Sequence, residues 1–223
     1  MNILIVMPVH NEEERVAGVL KELQKENYSV VVVDDGSVDT TPLKLRGAGG
    51  TKLTVLSHKI NLGKGAALKT GCEYAFSNGA EAVILMDSDG QHSVGDLKLF
   101  VEKLETNEYD IVYGSRNLNL GVPFVRYMGN KVASVIVSLM FGTYVSDLIS
   151  GYRAITKKAY EKIKWDSTGY GVETEMVIRA KKANLTSCEI PVTTIYYDNY
   201  KGVSILDAFS VFANLIYWKI YLK

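Results

Sequence analysis

The sequence predicts an α/β protein whose mostly parallel central sheet is flanked by helices. Short apolar runs rich in β-branched residues, such as Val30–Val33, alternate with amphipathic segments of helical length, which is the pattern of βαβ units. Acidic residues follow two of these runs directly, at Asp34 and Asp87, as expected where buried strands end at a ligand-binding edge. A chain of 223 residues is long enough for one domain with a sizeable core.

The front half of the chain supplies five predicted strands and three predicted helices. The strands are short and apolar, and they are Ile3–Met7, Val30–Val33, Leu53–Leu56, Ala82–Met86 and Ile111–Tyr113. The helices carry apolar residues at spacings of three and four, and they are Glu12–Lys25, Gly65–Phe76 and Val94–Leu104. Because strands and helices alternate throughout, we expect the strands to form one mostly parallel sheet.

In the back half the alternation ends. A long apolar helix is predicted from Arg126 to Phe141, and a second helix is predicted at Glu173–Ala183. Short strands are predicted on either side of the second helix, at Tyr152–Ile155 and Thr193–Tyr197. We find no repeat or linker, so this half is expected to complete the same domain.

The last segment, 203–223, is predicted to be an amphipathic helix that follows a domain over 1–202. Its polar residues fall on one helical stripe, and these are Asp207, Ser210 and Asn214. Aromatic residues cluster near its end, at Tyr217, Trp218 and Tyr221. A broad apolar face with such aromatic residues is typical of helices that lie on a membrane surface. Packing on the core, or against a second copy of the chain in a homodimer, is the alternative.

Composition narrows the class of protein further. The 25 basic and 25 acidic residues cancel, so no global field would recruit nucleic acid. The two cysteines, Cys72 and Cys188, lack metal-ligand spacing and are expected to be reduced thiols. No stretch of ~20 residues is free of charge, and the N-terminus enters a strand without a signal-peptide pattern. We therefore expect peripheral attachment at the cytoplasmic face of a membrane.

Two acidic clusters that follow buried strands are the main candidates for chemistry. They read Asp34-Asp35-Gly36-Ser37 and Asp87-Ser88-Asp89. Carboxylates gathered at one sheet edge repel each other unless a cation or hydrogen-bond donors compensate them. Oxygen ligands of this kind suit Mg²⁺ or Mn²⁺, held by one or two carboxylates together with substrate phosphates. Each cluster alone also fits an ordinary turn, but the two together predict a metal site for a phosphorylated ligand.

Three further features near predicted strand ends suit phosphate groups. The segment Asn61-Leu62-Gly63-Lys64-Gly65 opens a helix, and helix N-terminal amides favour anions. Arg116 ends the fifth strand, and Arg126 begins the long apolar helix. Arginine binds phosphate through paired donors, although a single arginine is more often a surface ion-pair partner.

Six ordered motifs resemble those of family 2 glycosyltransferases, in particular the branch that transfers mannose or glucose to dolichyl or other polyprenyl phosphates. They are Pro8-Val9-His10-Asn11-Glu12, Asp34-Asp35-Gly36-Ser37, Asn61-Leu62-Gly63-Lys64-Gly65, Asp87-Ser88-Asp89-Gly90-Gln91-His92, Gly114-Ser115-Arg116 and Ser150-Gly151-Tyr152-Arg153. The resemblance runs from residue 2 to residue 205. It implies a GT-A fold, a nucleotide-sugar donor and a divalent metal, Mg²⁺ or Mn²⁺.

The resemblance also implies roles for individual residues. The implied nucleotide-sugar site consists of Pro8, His10, Glu12, Val33, Asp35, Lys64 and Ser88. The implied metal and diphosphate site consists of Asp87, Asp89 and Gln91. The implied catalytic residues are Asp89, Arg116, Arg126 and Glu175, with the two arginines handling phosphate.

The implied reaction is inverting transfer of a hexose from a donor of the GDP-mannose or UDP-glucose type to a polyprenyl phosphate. Negative charge develops on the departing nucleoside diphosphate, and a metal and arginines stabilise it. A hydroxyl acceptor, the first alternative, would need a general base, for which Glu173 and Glu175 are candidates. Two residues apart on a helix they do not share a face, so at most one reaches the site. The second alternative is a nucleotide-sugar-binding scaffold without catalysis.

Overall fold

A computed structural model of the chain describes residues 1–116, 124–195 and 214–221, with the backbone alone for 124–126. Within these residues, seven strands form one sheet. The strands are β1 (Ile3–Val9), β2 (Ser29–Asp35), β3 (Leu53–His58), β4 (Ala82–Leu85), β5 (Ile111–Arg116), β6 (Arg153–Thr156) and β7 (Ser187–Val192). Their order across the sheet is β3-β2-β1-β4-β6-β5-β7.

Helices connect these strands and cover the sheet. They are α1 (Val16–Lys25), α2 (Thr41–Gly47), α3 (Lys64–Ser77), α4 (Leu97–Glu105), α5 (Phe124–Phe141), α6 (Lys157–Ile163) and α7 (Val172–Lys182). A short 3-10 turn at Val94–Asp96 leads into α4. Residues 214–221 form a further helical segment, here called the C-terminal helix.

The sheet is parallel except at β6. Strand β1 pairs in parallel with β2 and β4, and β5 pairs in parallel with β7. Strand β6 runs antiparallel between β4 and β5, so that its first residue, Arg153, lies opposite Leu85 and Tyr113. The mostly parallel α/β sheet that the sequence predicts is confirmed.

The apolar strands are buried because helices pack on both faces of the sheet. In β2, Val31 belongs to a cluster that includes Leu68 of α3 and Met176 of α7. Its neighbours Val30 and Val32 point to the opposite cluster, which includes α1, α2 and α4. Alternating side chains therefore enter two cores, which explains why β2 reads as a continuous apolar run.

Several element boundaries differ from those predicted. Helix α1 begins at Val16 and not at Glu12; residues 13–15 form a turn before it, in which the Glu12 carbonyl accepts from the N–H groups of Arg15 and Val16, at 3.1 and 3.0 Å. The last strand is Ser187–Val192 and not Thr193–Tyr197; of the predicted strand, Thr194 forms an isolated bridge and 196–197 lie outside the described residues. Pro191 interrupts the apolar pattern but is tolerated in an edge strand. The short helices α2 and α6 were not predicted.

The C-terminal helix packs one face on the core. Leu215 and Trp218 are buried among the residues of α7 and its neighbours, whereas Tyr217 and Tyr221 are more than half exposed, at 55% and 65%. Trp218 is therefore a core residue and not one of the surface aromatic residues that the sequence predicts. The predicted boundary at 202–203 lies outside the described residues. In the part of the chain described here, no helix is long and apolar enough to span a bilayer.

Candidate active site

The polar residues singled out in the sequence gather where the parallel strands end. Asp35 is the last residue of β2, and Arg116 is the last residue of β5. Asp87 follows β4, whose pairing with β1 continues through the hydrogen bond from the Met86 N–H to the Val6 carbonyl, at 3.1 Å. The sheet thus brings both acidic clusters and Arg116 to one edge, as expected for a ligand site in an open α/β sheet.

The Asp35 carboxylate holds the loop that begins α3. One oxygen accepts from the backbone N–H of Leu62, at 2.9 Å, and from the His58 ring, at 2.7 Å. The other oxygen accepts from the N–H of Gly63, at 2.7 Å. Gly63 has φ of 96°, and a side chain there would lie 2.4 Å from the Thr168 carbonyl oxygen. Only glycine fits this conformation without strain, so the loop requires a glycine at position 63.

His10 ties the end of β1 to the end of β2. Its Nδ1 donates to the Asp35 carbonyl, at 2.9 Å, and its Nε2 accepts from the Asn11 side chain, at 3.1 Å. Pro8 and Val33 are register partners on the two strands, and both are buried beneath this loop. Glu12 lies 3.6 Å from Arg15. The residues predicted to surround the nucleoside therefore form one neighbourhood, in which His10 has a structural contact through each ring nitrogen.

Lys64, at the first position of α3, bridges two acidic residues. Its ammonium lies 2.7 Å from an oxygen of Asp87 and 2.7 Å from an oxygen of Glu173. Burial alone would lower the pKa of Lys64, but the two carboxylates outweigh it and raise that pKa above its usual range. Burial likewise opposes ionisation of Asp87, yet Lys64 keeps the pKa of Asp87 below its ordinary value. At neutral pH Lys64 and Asp87 are therefore charged.

Gly151 makes room for this bridge. A Cβ atom at position 151 would lie 2.5 Å from an oxygen of Asp87 and 2.8 Å from the Lys64 ammonium. A real Cβ atom essentially never comes this close to a non-bonded atom, so the charged pair lies directly against the backbone of residue 151. This is the physical reason for a glycine in the Ser150-Gly151-Tyr152-Arg153 motif.

Asp89 behaves differently from Asp87. Burial, and then the charge of Asp87, raise the pKa of Asp89 to about 6. One oxygen of Asp89 accepts from the N–H of Gln91, at 3.0 Å, and Ser88 between the two aspartates is buried. Two carboxylates in this arrangement repel each other, and a cation between them would relieve that repulsion.

The His92 ring accepts a hydrogen bond from the backbone of Asp87. Its Nδ1 accepts the backbone N–H of Asp87, at 3.2 Å, which makes Nε2 the protonated nitrogen. Its ring stacks on Tyr152, with centroids 4.6 Å apart. Burial lowers the pKa of His92 to about 4, so the ring is neutral at physiological pH.

Arg116 is held in an ion pair with Asp147. Its Nε and Nη2 donate to the two carboxylate oxygens, at 2.6 and 2.9 Å. Asp147 is buried and also accepts from the Asn130 side chain, at 3.2 Å. The pair fixes Arg116 at the end of β5. The side chain of Arg126 lies outside the described residues.

Glu175 and Glu173 make different contacts and therefore have different roles. Glu175 is fully buried, and its oxygens accept from the backbone N–H groups of Asp166 and Ser167, at 3.0 and 2.8 Å. Arg179 donates to it as well, at 2.6 Å. These contacts fasten the segment before α7 and give Glu175 a structural role. Its implied catalytic role stays a prediction, and Glu173 is the acidic residue that contacts Lys64.

Two residues of the site, His58 and Asp147, were missed in the sequence, and Arg153 was named in a motif without a role. All three contact predicted site residues or the loops that carry them. Arg153 is 1% exposed, and its guanidinium donates to the carbonyls of Ser150, Leu148 and Glu173. His58 ends β3, so the strand-end argument could have found it. Asp147 lies in a loop after α5, and no local pattern indicates its partner.

Comparison with known proteins identifies the family. Residues 4–164 match the description "Glycosyl transferase family 2". The chain belongs to the family 2 glycosyltransferases.

Relatives of this family-2 chain include proteins of archaea and bacteria. An uncharacterised protein of Methanocaldococcus jannaschii is 37% identical, over 98% of this chain and 93% of the relative. The UDP-N-acetylglucosamine–dolichyl-phosphate N-acetylglucosaminyltransferase of Methanococcus voltae is 31% identical, over 97% and 96%. The undecaprenyl-phosphate mannosyltransferase of Micrococcus luteus is 30% identical, over 87% and 84%.

Solved structures share the fold of this family-2 chain. Mannosyl-3-phosphoglycerate synthase from Rubrobacter xylanophilus superposes with a TM-score of 0.75 at 18% identity, over 100% of this chain and 74% of that one. Glucosyl-3-phosphoglycerate synthase from Mycobacterium tuberculosis, in complex with Mn²⁺, UDP-glucose and phosphoglyceric acid, gives 0.72 at 18% identity, over 98% and 79%. The fold is GT-A, as the sequence resemblance implied.

The donor set of the site fits a divalent cation that shares its coordination with a ligand. Within the described ranges, no three Asp, Glu, His or Cys side chains are arranged to surround an ion. Asp87, Asp89 and Gln91 offer hard oxygen donors, and an ammonium already lies on Asp87. Mg²⁺ and Mn²⁺ in such sites take their remaining ligands from phosphate and water. The residues present therefore suit a cation that arrives with a diphosphate.

Proposed function

We propose that this family 2 glycosyltransferase moves a hexose from a nucleotide sugar to a polyprenyl phosphate, with inversion and with Mg²⁺ or Mn²⁺. The observation that carries the proposal is the pair Asp87 and Asp89, two residues apart just beyond β4, beside the ammonium of Lys64. Two relatives that match most of this chain are named for polyprenyl-phosphate acceptors, and a GT-A neighbour was solved with Mn²⁺. Donors of the GDP-mannose and UDP-glucose types are the candidates.

The donor would bind at the edge formed by β1, β2 and β4. Its nucleoside would lie over Val33 and Pro8, which the loops of His10 and Asp35 enclose. Asp87, Asp89 and Gln91 would hold the metal, which supplies Lewis-acid stabilisation of the departing diphosphate when it is bound. Lys64 and Arg116 both add positive charge near Asp87. They would stabilise the negative charge that develops on the departing diphosphate.

The acceptor is proposed to be an anion. One of its phosphate oxygens forms the new bond to the anomeric carbon, while the bond to the diphosphate breaks and its electron pair leaves with the nucleotide. A phosphate oxygen is already ionised near neutral pH, so no general base is required. Oε1 of Glu173 already contacts the Lys64 ammonium, and both oxygens of Glu175 accept from other groups, which disfavours a hydroxyl acceptor that needs a carboxylate base.

An apolar surface is available for a membrane that carries the lipid acceptor. On α5, Met128, Val132, Val135 and Leu139 lie on one face and are 41–83% exposed. Lys219 of the C-terminal helix donates to the Met140 carbonyl, which places that helix beside the end of α5. Neither helical segment contains an acidic residue, and they carry Arg126, Lys131 and Lys219. Apolar burial together with lysine and arginine favours an anionic lipid surface.

The test is sugar transfer in detergent with a polyprenyl phosphate, in the presence of Mn²⁺ or Mg²⁺. We expect GDP-mannose, UDP-glucose or UDP-N-acetylglucosamine to yield a lipid-linked sugar whose anomeric configuration is opposite to that of the donor. Asp89→Asn should abolish metal-dependent donor binding in calorimetry while the far-UV spectrum is retained. Equal turnover of free polyprenol would contradict the proposal that the acceptor is a phosphate. Metal-dependent donor binding retained in Asp89→Asn would contradict the assignment of Asp89 to the metal.

A further inference from the structure

The Lys64 ammonium lies directly against Asp87, one of the residues proposed to hold the metal. Its Nζ lies 2.7 Å from Oδ1 of Asp87, which is the length of a charge-assisted hydrogen bond. The opposite oxygen, Oδ2, faces the backbone of Gly151, where a Cβ would lie only 2.5 Å away. Each oxygen of the Asp87 carboxylate therefore has a close neighbour, although the side chain remains 25% exposed.

The bridge to Glu173 keeps Lys64 in place. The same Nζ lies 2.7 Å from Oε1 of Glu173, and the backbone carbonyl of Glu173 accepts from Arg153, at 2.6 Å. Lys64 is also fixed through its helix, because the next residue, Gly65, donates its N–H to the Thr168 carbonyl, at 2.6 Å. The Lys64 side chain is therefore held by two carboxylates at its ammonium, and the start of its helix is held by the Thr168 carbonyl.

We infer that Lys64 is a built-in cation that blocks the metal ligand Asp87 until the donor diphosphate arrives. This inference rests on the proposed function and adds that the metal binds together with the donor and not before it. A bare divalent cation must compete with Lys64 for Asp87 and is repelled by its charge. The diphosphate of a nucleotide sugar brings oxygens that accept from Lys64 and coordinate the metal together, so both cations can be accommodated. Metal and donor then bind as a unit, each raising the affinity of the other.

The inference predicts a gain of metal affinity when a lysine is removed. Lys64→Met keeps an unbranched side chain that is one atom shorter and deletes the charge. Its affinity for Mn²⁺ alone, without nucleotide, should exceed that of the wild type by about tenfold or more, since a neighbouring unit charge shifts ion equilibria by that amount. Free Mn²⁺ is counted by electron paramagnetic resonance at a pH of about 8, where the carboxylates are ionised.

Three variants separate the charge of Lys64 from other effects. Lys64→Arg keeps a cation and should show no gain in Mn²⁺ affinity. Lys69→Met removes a positive charge from the same helix, where Lys69 contacts the Trp165 carbonyl at 3.4 Å, and should also show no gain. Lys64→Gln deletes the charge but can still donate to a carboxylate, so it tests the inference if Lys64→Met does not fold.

The outcomes are distinct from those that test the proposed function. Tighter Mn²⁺ binding by Lys64→Met or Lys64→Gln, and not by the two control variants, supports the inference. Binding that is equal to or weaker than that of the wild type overturns it, including the case in which no protein binds Mn²⁺ alone. Wild-type sugar transfer is measured separately, so a protein that transfers sugar but fails this test rejects only the role of Lys64.

Discussion

Arg116 donates from Nε and Nη2 to the two oxygens of the Asp147 carboxylate, at 2.6 and 2.9 Å, and its backbone N–H donates to the same group at 3.1 Å. Asp147 is 1% exposed. An arginine held in this way presents its remaining donors in a fixed direction. The pair joins the end of β5 to the loop after α5, so it links the position of a proposed phosphate-binding group to the fold.

Asp147→Asn should lower the free energy of unfolding by about 3 kcal/mol, because it removes the buried negative charge that pairs with the Arg116 guanidinium. Turnover should fall as well, since Arg116 loses its fixed direction. Urea denaturation measures the stability. The control is Asp166→Asn, which removes an aspartate whose side chain is 82% exposed in its pair with Arg179 and should cost less than about 1 kcal/mol. Equal losses for the two variants would contradict the structural weight given to Asp147.

Glu175→Gln tests the catalytic role that the sequence resemblance implies. In the structure both oxygens of Glu175 are occupied by N–H groups and by Arg179. The variant should therefore cost about 2–4 kcal/mol of stability and leave the Michaelis constant of the donor unchanged at low temperature. If stability were unaltered and the turnover number fell, Glu175 would act in the reaction and the structural role would be wrong.

Gly151→Ala should weaken donor and metal binding without unfolding the protein. The added methyl group would displace the Asp87 carboxylate and the Lys64 ammonium, and overpacking of this kind costs about 1–3 kcal/mol. Isothermal calorimetry with a nucleoside diphosphate and Mn²⁺ measures the effect. Gly169→Ala is the matched control, because no atom lies within 4 Å of a Cβ at that position. Wild-type affinity in Gly151→Ala would mean that the contact yields without consequence.

Asp89 should make the metal-free protein less stable as the pH rises. The pKa of Asp89 is about 6 in the folded chain, above the ordinary value of about 3.9 in an unfolded one. Between these values the folded state binds more protons, so the unfolding free energy decreases with rising pH. Asp89→Asn cannot ionise, so its stability relative to the wild type should grow by about 2–3 kcal/mol between pH 4 and pH 7. Parallel curves from urea denaturation in a chelator would refute the raised pKa.

Leu139→Asp tests the apolar face of α5. Leu139 is 83% exposed, so the change should have little effect on folding but should place a negative charge on the proposed lipid-facing surface. We expect less co-sedimentation with anionic liposomes and slower turnover of long-chain acceptors. Leu43→Asp on α2, at a position that is 65% exposed, should bind liposomes like the wild type. Equal loss in both variants, or in neither, would exclude this face as the membrane contact.

The front of the fold could be predicted because its signals are local. Strands such as Val30–Val33 are short apolar runs, and the acids that follow them lie at the sheet edge wherever the strands are parallel. The Asp87–Asp89 motif could therefore be assigned to that edge from the amino-acid sequence alone. The helices α1, α3 and α4 were found by the same kind of periodic pattern, whereas the short helix α2 was not.

The back of the site could not be predicted because its contacts join distant parts of the chain. Arg116 and Asp147 are 31 residues apart, and Lys64 and Glu173 are far more distant in sequence. No sequence pattern in α7 or in the loop after α5 predicts which residue each of them contacts. Glu173 and Glu175 are alike in sequence, and only the packing of α7 decides that one contacts Lys64 and the other fastens a loop.

Strand β6 runs antiparallel to β4 and β5, and this reversal decides which parts of the chain meet at the candidate site. Because β6 enters the sheet at Arg153, beside the ends of β4 and β5, the segment before it reaches the reaction centre while the segment after it leaves on the far side. Asp87 therefore meets two kinds of segment: the loop that opens α3 and carries Lys64 follows a strand, whereas Gly151 precedes one. A substitution just before β6 is thus expected to act on the Asp87–Lys64 pair although it lies outside every loop that follows a parallel strand.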